Sequence, residues 1–171
     1  ALLLTWLLRR YALARSIIDV PTARSSHTVP TPRGGGVAIV ISFLISLPLL
    51  LMWDVVASDV VWALLGAGAL IAVIGFLDDH GHIAARWRLL GHFSAAAWIL
   101  YWLGGFPELT IFGLTISASW IGNILAAFYL VWMLNLYNFM DGIDGLASVE
   151  ALSTCLGACL IYWLAGYAGL I

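Results

Sequence analysis

Five stretches of this chain are long, almost free of charge and dominated by Leu, Ile, Val, Ala, Phe and Trp: residues 36–53, 60–77, 89–106, 120–138 and 146–164. No other feature limits the fold as much. A helix needs about 20 mostly apolar residues to cross the ~30 Å hydrocarbon layer of a bilayer, and each run comes close to that length. The sequence predicts an all-α integral membrane protein, a polytopic helical bundle forming one membrane domain over residues 1–171. At 63% hydrophobic and 9% charged residues, the chain carries far more apolar surface than a soluble core of its size needs. Its nine Trp suit the lipid–water interface. A net charge of −2 gives no basis for nucleic-acid binding. Cys155 and Cys159 lie one helical turn apart in an apolar run and read as small buried thiols, without disulfide or zinc spacing.

An apolar stub, residues 1–8, precedes Arg9. As a helix it reaches only about 12 Å, so it is expected to be the end of a first helix that starts earlier. A signal peptide would carry its charges before the apolar run. Arg9, Arg10, Arg15, Arg24 and Arg33 fall between this stub and the next span, and Arg86 and Arg88 fall two crossings later. With no Lys in the chain, every basic residue lies on one side, which the positive-inside rule assigns to the cytoplasm. The opposite side receives Asp54, Asp59 and Glu108. There, apolar–Thr/Ser alternation on either side of Gly113 predicts a short outward-facing β-hairpin.

Three polar segments then share the cytoplasmic face by parity: "DVPTARSSHTVPTPRGGG" (19–36), "GFLDDHGHIAARWRLLGH" (75–92) and "NLYNFMDGIDGLA" (135–147). In the last, Asn135, Asn138, Asp141 and Asp144 recur every third residue, which keeps them on one side of a helix. Such a stripe is costly in lipid and reads as the wall of a cavity; a polar seam between helices is the plainer alternative. Asp78 and Asp79 are adjacent acids at the inner end of a span. Side by side, each disfavours ionisation of the other, and a divalent cation removes that conflict. Carboxylate oxygens suit Mg²⁺, with Mn²⁺ the alternative, better than zinc. Read alone, the pair is equally a solvated helix end. In the first segment, Pro30 and Pro32 prevent a continuous helix. His27, Arg33, Gly34 and Gly35 stand where a helix opens, and its N-terminal amides would favour a phosphate. A flexible basic loop touching anionic lipid explains the same residues. His80, His82 and His92 show no zinc spacing.

Together these pieces ask for an anionic substrate met from the cytoplasm, a hard cation and a partner in the bilayer, as in phosphoryl transfer to a lipid phosphate. A proton-coupled transporter is the rival class, but it would place its acids near the midplane. The three segments, in this order, resemble those of the polyprenyl-phosphate N-acetylhexosamine-1-phosphate transferases, the glycosyltransferase family 4 type enzymes; the wording of the first segment is most similar to the O-antigen-initiating branch. The resemblance covers essentially the whole chain, and its N-x-x-N-x-x-D-G-x-D-G-L-A run is highly specific. It implies transfer of an N-acetylhexosamine-1-phosphate from a UDP-sugar to undecaprenyl phosphate with release of UMP, in a bacterial cytoplasmic (inner) membrane. It implies catalytic and Mg²⁺-binding roles for Asp78, Asp79, Asp141 and Asp144, and a place for Asn135 and Asn138 in the nucleotide–metal region. A homodimer is compatible with it. It also implies further spans, an additional Asp in a G-D-x-G-S context and a His-rich loop. Since the sequence ends in an apolar stretch without them, residues 1–171 are expected to be part of a longer enzyme and, alone, to insert in a membrane without catalysing transfer.

Overall fold

The structure, a computed structural model, describes residues 1–14, 18–19, 31–32, 35–81, 83–111, 114–116, 119–140, 143 and 145–166. In chain order the elements are α1 (Leu2–Ala14), β1 (Ile18–Asp19), β2 (Thr31–Pro32), α2 (Gly35–Met52), α3 (Ser58–Gly81), α4 (Ala85–Trp102), β3 (Leu109–Ile111), β4 (Leu114–Ile116), α5 (Ser119–Met140) and α6 (Leu146–Leu164). Two units are distinguished, Ala1–Asp19 with Thr31–Leu134, and Val20–Pro30 with Asn135–Ile171.

Three helical segments are long and apolar enough to cross a membrane: Ser58–Asp78, Trp120–Met140 and Leu146–Leu164. Gly36–Met52 is a shorter apolar helix. The last expected span, 146–164, coincides with α6. Helix α4 instead begins at Ala85, four residues before the apolar run, because Arg86, Trp87 and Arg88 are helical before the sequence turns apolar. Helix α1 likewise continues past the stub through Arg9 and Arg10 to Ala14. Charge ends an apolar run but not a helix: Arg10 lies over the Trp6 ring one turn away, 4.5 Å from its centroid.

In the first unit, α3 packs between α2 and α4. The buried residues of these helices are mostly small: Ala38, Ala63, Ala67, Ala95 and Ala96, with Leu47 and Val61. Lipid gives no hydrophobic drive for helices to associate, so close approach through small residues supplies the contact instead. Large apolar residues such as Phe43, Trp62, Val73 and Leu90 are left exposed, as a lipid-facing surface requires. Two glycines fix the α3–α4 register. A Cβ on Gly91 would collide with the Ile74 side chain, and one on Gly66 would collide with the Trp98 indole. Trp98 Nε1 instead donates to the Trp62 carbonyl at 2.9 Å, a carbonyl one turn before Gly66 that a side chain there would screen. Trp62, Trp98 and Trp102 cluster around this seat, with the Trp62 and Trp98 rings 6.2 and 6.0 Å from Trp102.

Helix α4 ends where Gly104 and Gly105 take φ of +75° and +94°. The Gly105 amide donates to Leu100 O at 2.7 Å and the Gly104 amide to Tyr101 O at 3.4 Å, the paired reversal that ends many helices. Asn123 of α5 then accepts from the Phe106 amide at 2.6 Å, and Phe93 meets Phe128 edge to face at 5.2 Å. Strands β3 and β4 pair antiparallel with Leu109 opposite Ile116 and Ile111 opposite Leu114; Phe112 and Gly113 between them lie outside the described residues. A second antiparallel pair, Ile18 opposite Pro32 and Asp19 opposite Thr31, is one that the sequence did not indicate. In the second unit no described residue of α6 is buried.

The Gly66 seat yields a first expectation. Gly66→Ala drives a methyl group into a rigid indole and displaces its hydrogen bond, so it should destabilise the protein by about 1–3 kcal/mol. Thermal unfolding in detergent checks this, and Gly68→Ala, which meets only ordinary contacts with Leu44 and Phe43, should leave the midpoint nearly unchanged.

Candidate functional site

An aspartate near the C-terminus of a helix faces the negative end of the helix dipole and must find donors. Asp78 is in the last turn of α3, and among the described residues its carboxylate meets donors from the turn and from α4. Its Oδ1 accepts from the Ile83 amide at 3.0 Å, and its Oδ2 accepts from Arg88 Nη1 at 2.7 Å. Ile83 belongs to the three-residue connection between α3 and α4, and Arg88 to the first turn of α4. One carboxylate therefore ties together the end of one helix, the turn and the start of the next. The pair is partly exposed, 36% for the Arg88 side chain and 27% for Asp78, so it stays within reach of a solute. One turn beyond Arg88, His92 is buried.

A cleft of about 450 Å³ adjoins this end of α3, lined mainly by apolar residues of α2 and α3 that include Gly36, Val37, Val40, Val73, Gly75 and Phe76. A Cβ at Gly36 or Gly75 would meet nothing within 4 Å, so these glycines widen the cleft rather than seat a neighbour. The cleft runs to Leu77, the residue before Asp78.

Gly35 opens α2, and Asp78 and Asp79 both lie in the last turn of α3. Asn135 and Asn138 lie in the last turns of α5, three residues apart and exposed. His27, Arg33, Gly34, Asp141, Asp144 and the Asp79 side chain lie outside the described residues. Among the described residues no group of three His, Cys, Asp or Glu side chains forms a metal cluster. Beyond Met140, the Ile143 amide donates to Met140 O at 3.0 Å and the Leu146 amide to Ile143 O at 3.1 Å. Gly145, at φ +79°, turns the chain into α6, which accounts for a glycine at that point of the motif. Arg88, which the sequence marks only as one of the basic residues on one side of the membrane, is brought to Asp78 by the turn; the signal that could have found it is an opposite charge ten residues after Asp78.

The glycosyl transferase family 4 model matches residues 61–171, a range that contains both the Asp78–Asp79 pair and the N-x-x-N run. Three curated relatives are decaprenyl-phosphate N-acetylglucosaminephosphotransferases. That of Mycobacterium leprae is 35% identical over 160 residues, covering 84% of this chain and 38% of the relative. That of Mycolicibacterium smegmatis is 32% identical over 162 residues, covering 89% and 40%. That of Mycobacterium tuberculosis H37Rv is 33% identical over the same length and shares. This chain thus spans about two fifths of the length of these relatives. No solved structure matches it.

The geometry at Asp78 separates two substitutions. Asp78→Asn keeps an oxygen for the Ile83 amide but loses the ion pair, whereas Asp78→Ala loses both. The alanine variant should unfold at the lower temperature, with a difference of about 1 kcal/mol for the lost hydrogen bond. Equal midpoints would show that the Ile83 amide does not depend on this carboxylate.

Proposed function

This chain belongs to glycosyl transferase family 4, and from that membership we propose that it forms the acceptor-side part of an enzyme transferring N-acetylglucosamine-1-phosphate from UDP-N-acetylglucosamine to a polyprenyl phosphate, undecaprenyl phosphate being the acceptor of choice. The observation that carries this reading is the family match across both acidic motifs, Asp78–Asp79 and Asn135–Asp144. In the proposed reaction an oxygen of the lipid phosphate bonds to the sugar-bearing phosphorus. The bond from that phosphorus to the bridging oxygen breaks, and UMP leaves with the oxygen. The product is a lipid-linked diphosphosugar that starts a cell-wall or O-antigen polysaccharide.

A phosphate monoester has its second pKa near ~6, so the acceptor needs little help to lose its proton at neutral pH. The work that remains is holding two anionic groups together. On this reading the apolar cleft between α2 and α3 receives the isoprenoid end next to the phosphate, and the basic, acid-lined rim receives the charges. Asn135 and Asn138 offer amide groups to the nucleotide, and His27, Arg33, Gly34 and Gly35 offer donors to a phosphate. Carboxylates fit a hard cation, and Mg²⁺ usually takes one or two of them together with substrate phosphates and water. Asp78 already shares its oxygens with Arg88 and Ile83, which such partial ligation tolerates. The residues that would hold Mg²⁺ are Asp78, Asp79, Asp141 and Asp144, and the ion would supply charge neutralisation at the transferring phosphoryl group. Helices α2 and α4 complete a five-span bundle in the bacterial cytoplasmic membrane, its Arg-bearing end facing the cytoplasm.

Two measurements check the reading in the intact enzyme. Asp79→Asn and Asp141→Asn should each lower UMP release about 100-fold or more, with protein levels maintained; near-normal release from both would remove these residues from the site. Cys introduced by Arg86→Cys should label only from the cytoplasmic side and Cys introduced by Asp59→Cys only from outside. Labelling of Arg86→Cys in intact cells by an impermeant reagent would reverse the orientation.

A further inference from the structure

We infer that Arg88 is a positioning residue of the transfer site, holding the Asp78 carboxylate in one orientation through the Arg88–Asp78–Ile83 staple. This rests on the reading of Asp78 as part of that site. Both partners stand at the wrong pole of their helices. Asp78 is in the last turn of α3, where a cation is favoured, and Arg88 is in the first turn of α4, where an anion is favoured. Exchanging the two charges would satisfy both dipoles but leave the Ile83 amide without its acceptor, so the helix dipoles do not account for this arrangement. Nor does ion-pair strength: the pair is partly exposed, and such pairs contribute little to stability.

What the arrangement does provide is direction. Each oxygen of Asp78 accepts from a different element, Oδ1 from the turn and Oδ2 from α4. Two anchors on one carboxylate fix its rotation as well as its position. A guanidinium suits this better than an ammonium, because its planar fork lets it donate along a defined line. The anchor stands beside a close contact between the two helices. Arg88 lies three residues before Gly91, where Ile74 of α3 packs against the backbone of α4, and four before the buried His92. That contact brings α3 and α4 close together next to the Arg88–Asp78 pair.

The test uses the intact enzyme purified in detergent. Arg88→Gln should lower kcat by about 10- to 100-fold, the usual loss when a partner that orients an active-site ligand is removed. The KM for UDP-N-acetylglucosamine should stay within about twofold, and Arg88→Lys should recover part of kcat. In an Asp78→Asn background Arg88→Gln should add no further loss, because its effect runs through Asp78. Independently of activity, hydrogen exchange at the Ile83 amide should speed up about tenfold in Arg88→Gln. Unchanged kcat, a loss confined to KM, or multiplicative losses in the double variant would overturn the inference, the last two by assigning Arg88 to the substrate itself. Unchanged Ile83 exchange would overturn it even if the wild-type protein released no UMP, an outcome that by itself would count against the proposed reaction and not against the staple. Should Arg88→Gln fail to fold, Arg88→Lys carries the same comparison: Ile83 exchange and kcat should both lie between wild type and Asp78→Asn, and exchange equal to wild type with kcat equal to Asp78→Asn would overturn it.

Discussion

A backbone amide in hydrocarbon has no water to bond to, so a chain crossing a bilayer must satisfy its polar groups within its own helices, or lose several kcal/mol for each one left over. Here that constraint fills the middle of each long helix with residues that do no chemistry and pushes the acids, amides and arginines to the ends. Asp78 sits where α3 leaves its apolar stretch, and Asn135 and Asn138 where α5 does. Charge at a helix end is still not free of cost. Asp78 faces the negative pole of its own helix, and the Ile83 amide and Arg88 together offset that penalty. The turn between α3 and α4 is therefore organised by one carboxylate.

Packing in lipid relies on fit rather than on exclusion of water. Between α3 and α4 the fit comes from Gly66 under the Trp98 indole and from Gly91 under Ile74. These contacts lie well away from the charged end in the first case and close to it in the second, and both hold the same register. A one-turn slip of α4 would move Arg88 by about 5.4 Å, far outside hydrogen-bonding distance of Asp78. The apolar seam thus determines whether the polar turn can form.

Much of this was legible from composition and spacing. The long apolar runs fixed the helical class, and α6 follows its run from the first residue to the last. The pairing of Leu109–Ile111 with Leu114–Ile116 follows the alternation around Gly113. Helix α4 begins before its apolar run and α1 extends beyond the apolar stub, because hydropathy marks what lies in lipid, while a helix continues through Arg9, Arg10, Arg86 and Arg88 as long as its backbone bonds close. The acidic pair was visible as an electrostatic conflict. Its partner was not, because an arginine ten residues away looks like any other marker of sidedness until the turn between the helices brings it back. The pairing of Ile18–Asp19 with Thr31–Pro32 had no signal either, since two-residue strands leave no periodicity.

The reaction class is tested most directly by following two labels at once. The intact enzyme in membranes is given a polyprenyl phosphate and UDP-N-acetylglucosamine carrying one label in the sugar and another in its β-phosphate, and the lipid fraction is collected. Phosphosugar transfer is expected to bring both labels to the lipid in equal amounts, with unlabelled UMP released. Sugar label without phosphate label would mean that UDP is the leaving group and that the bond assignment is wrong. Intact nucleotide sugar accumulating inside vesicles, with neither label in lipid, would mean that the acidic ends of these helices serve transport instead.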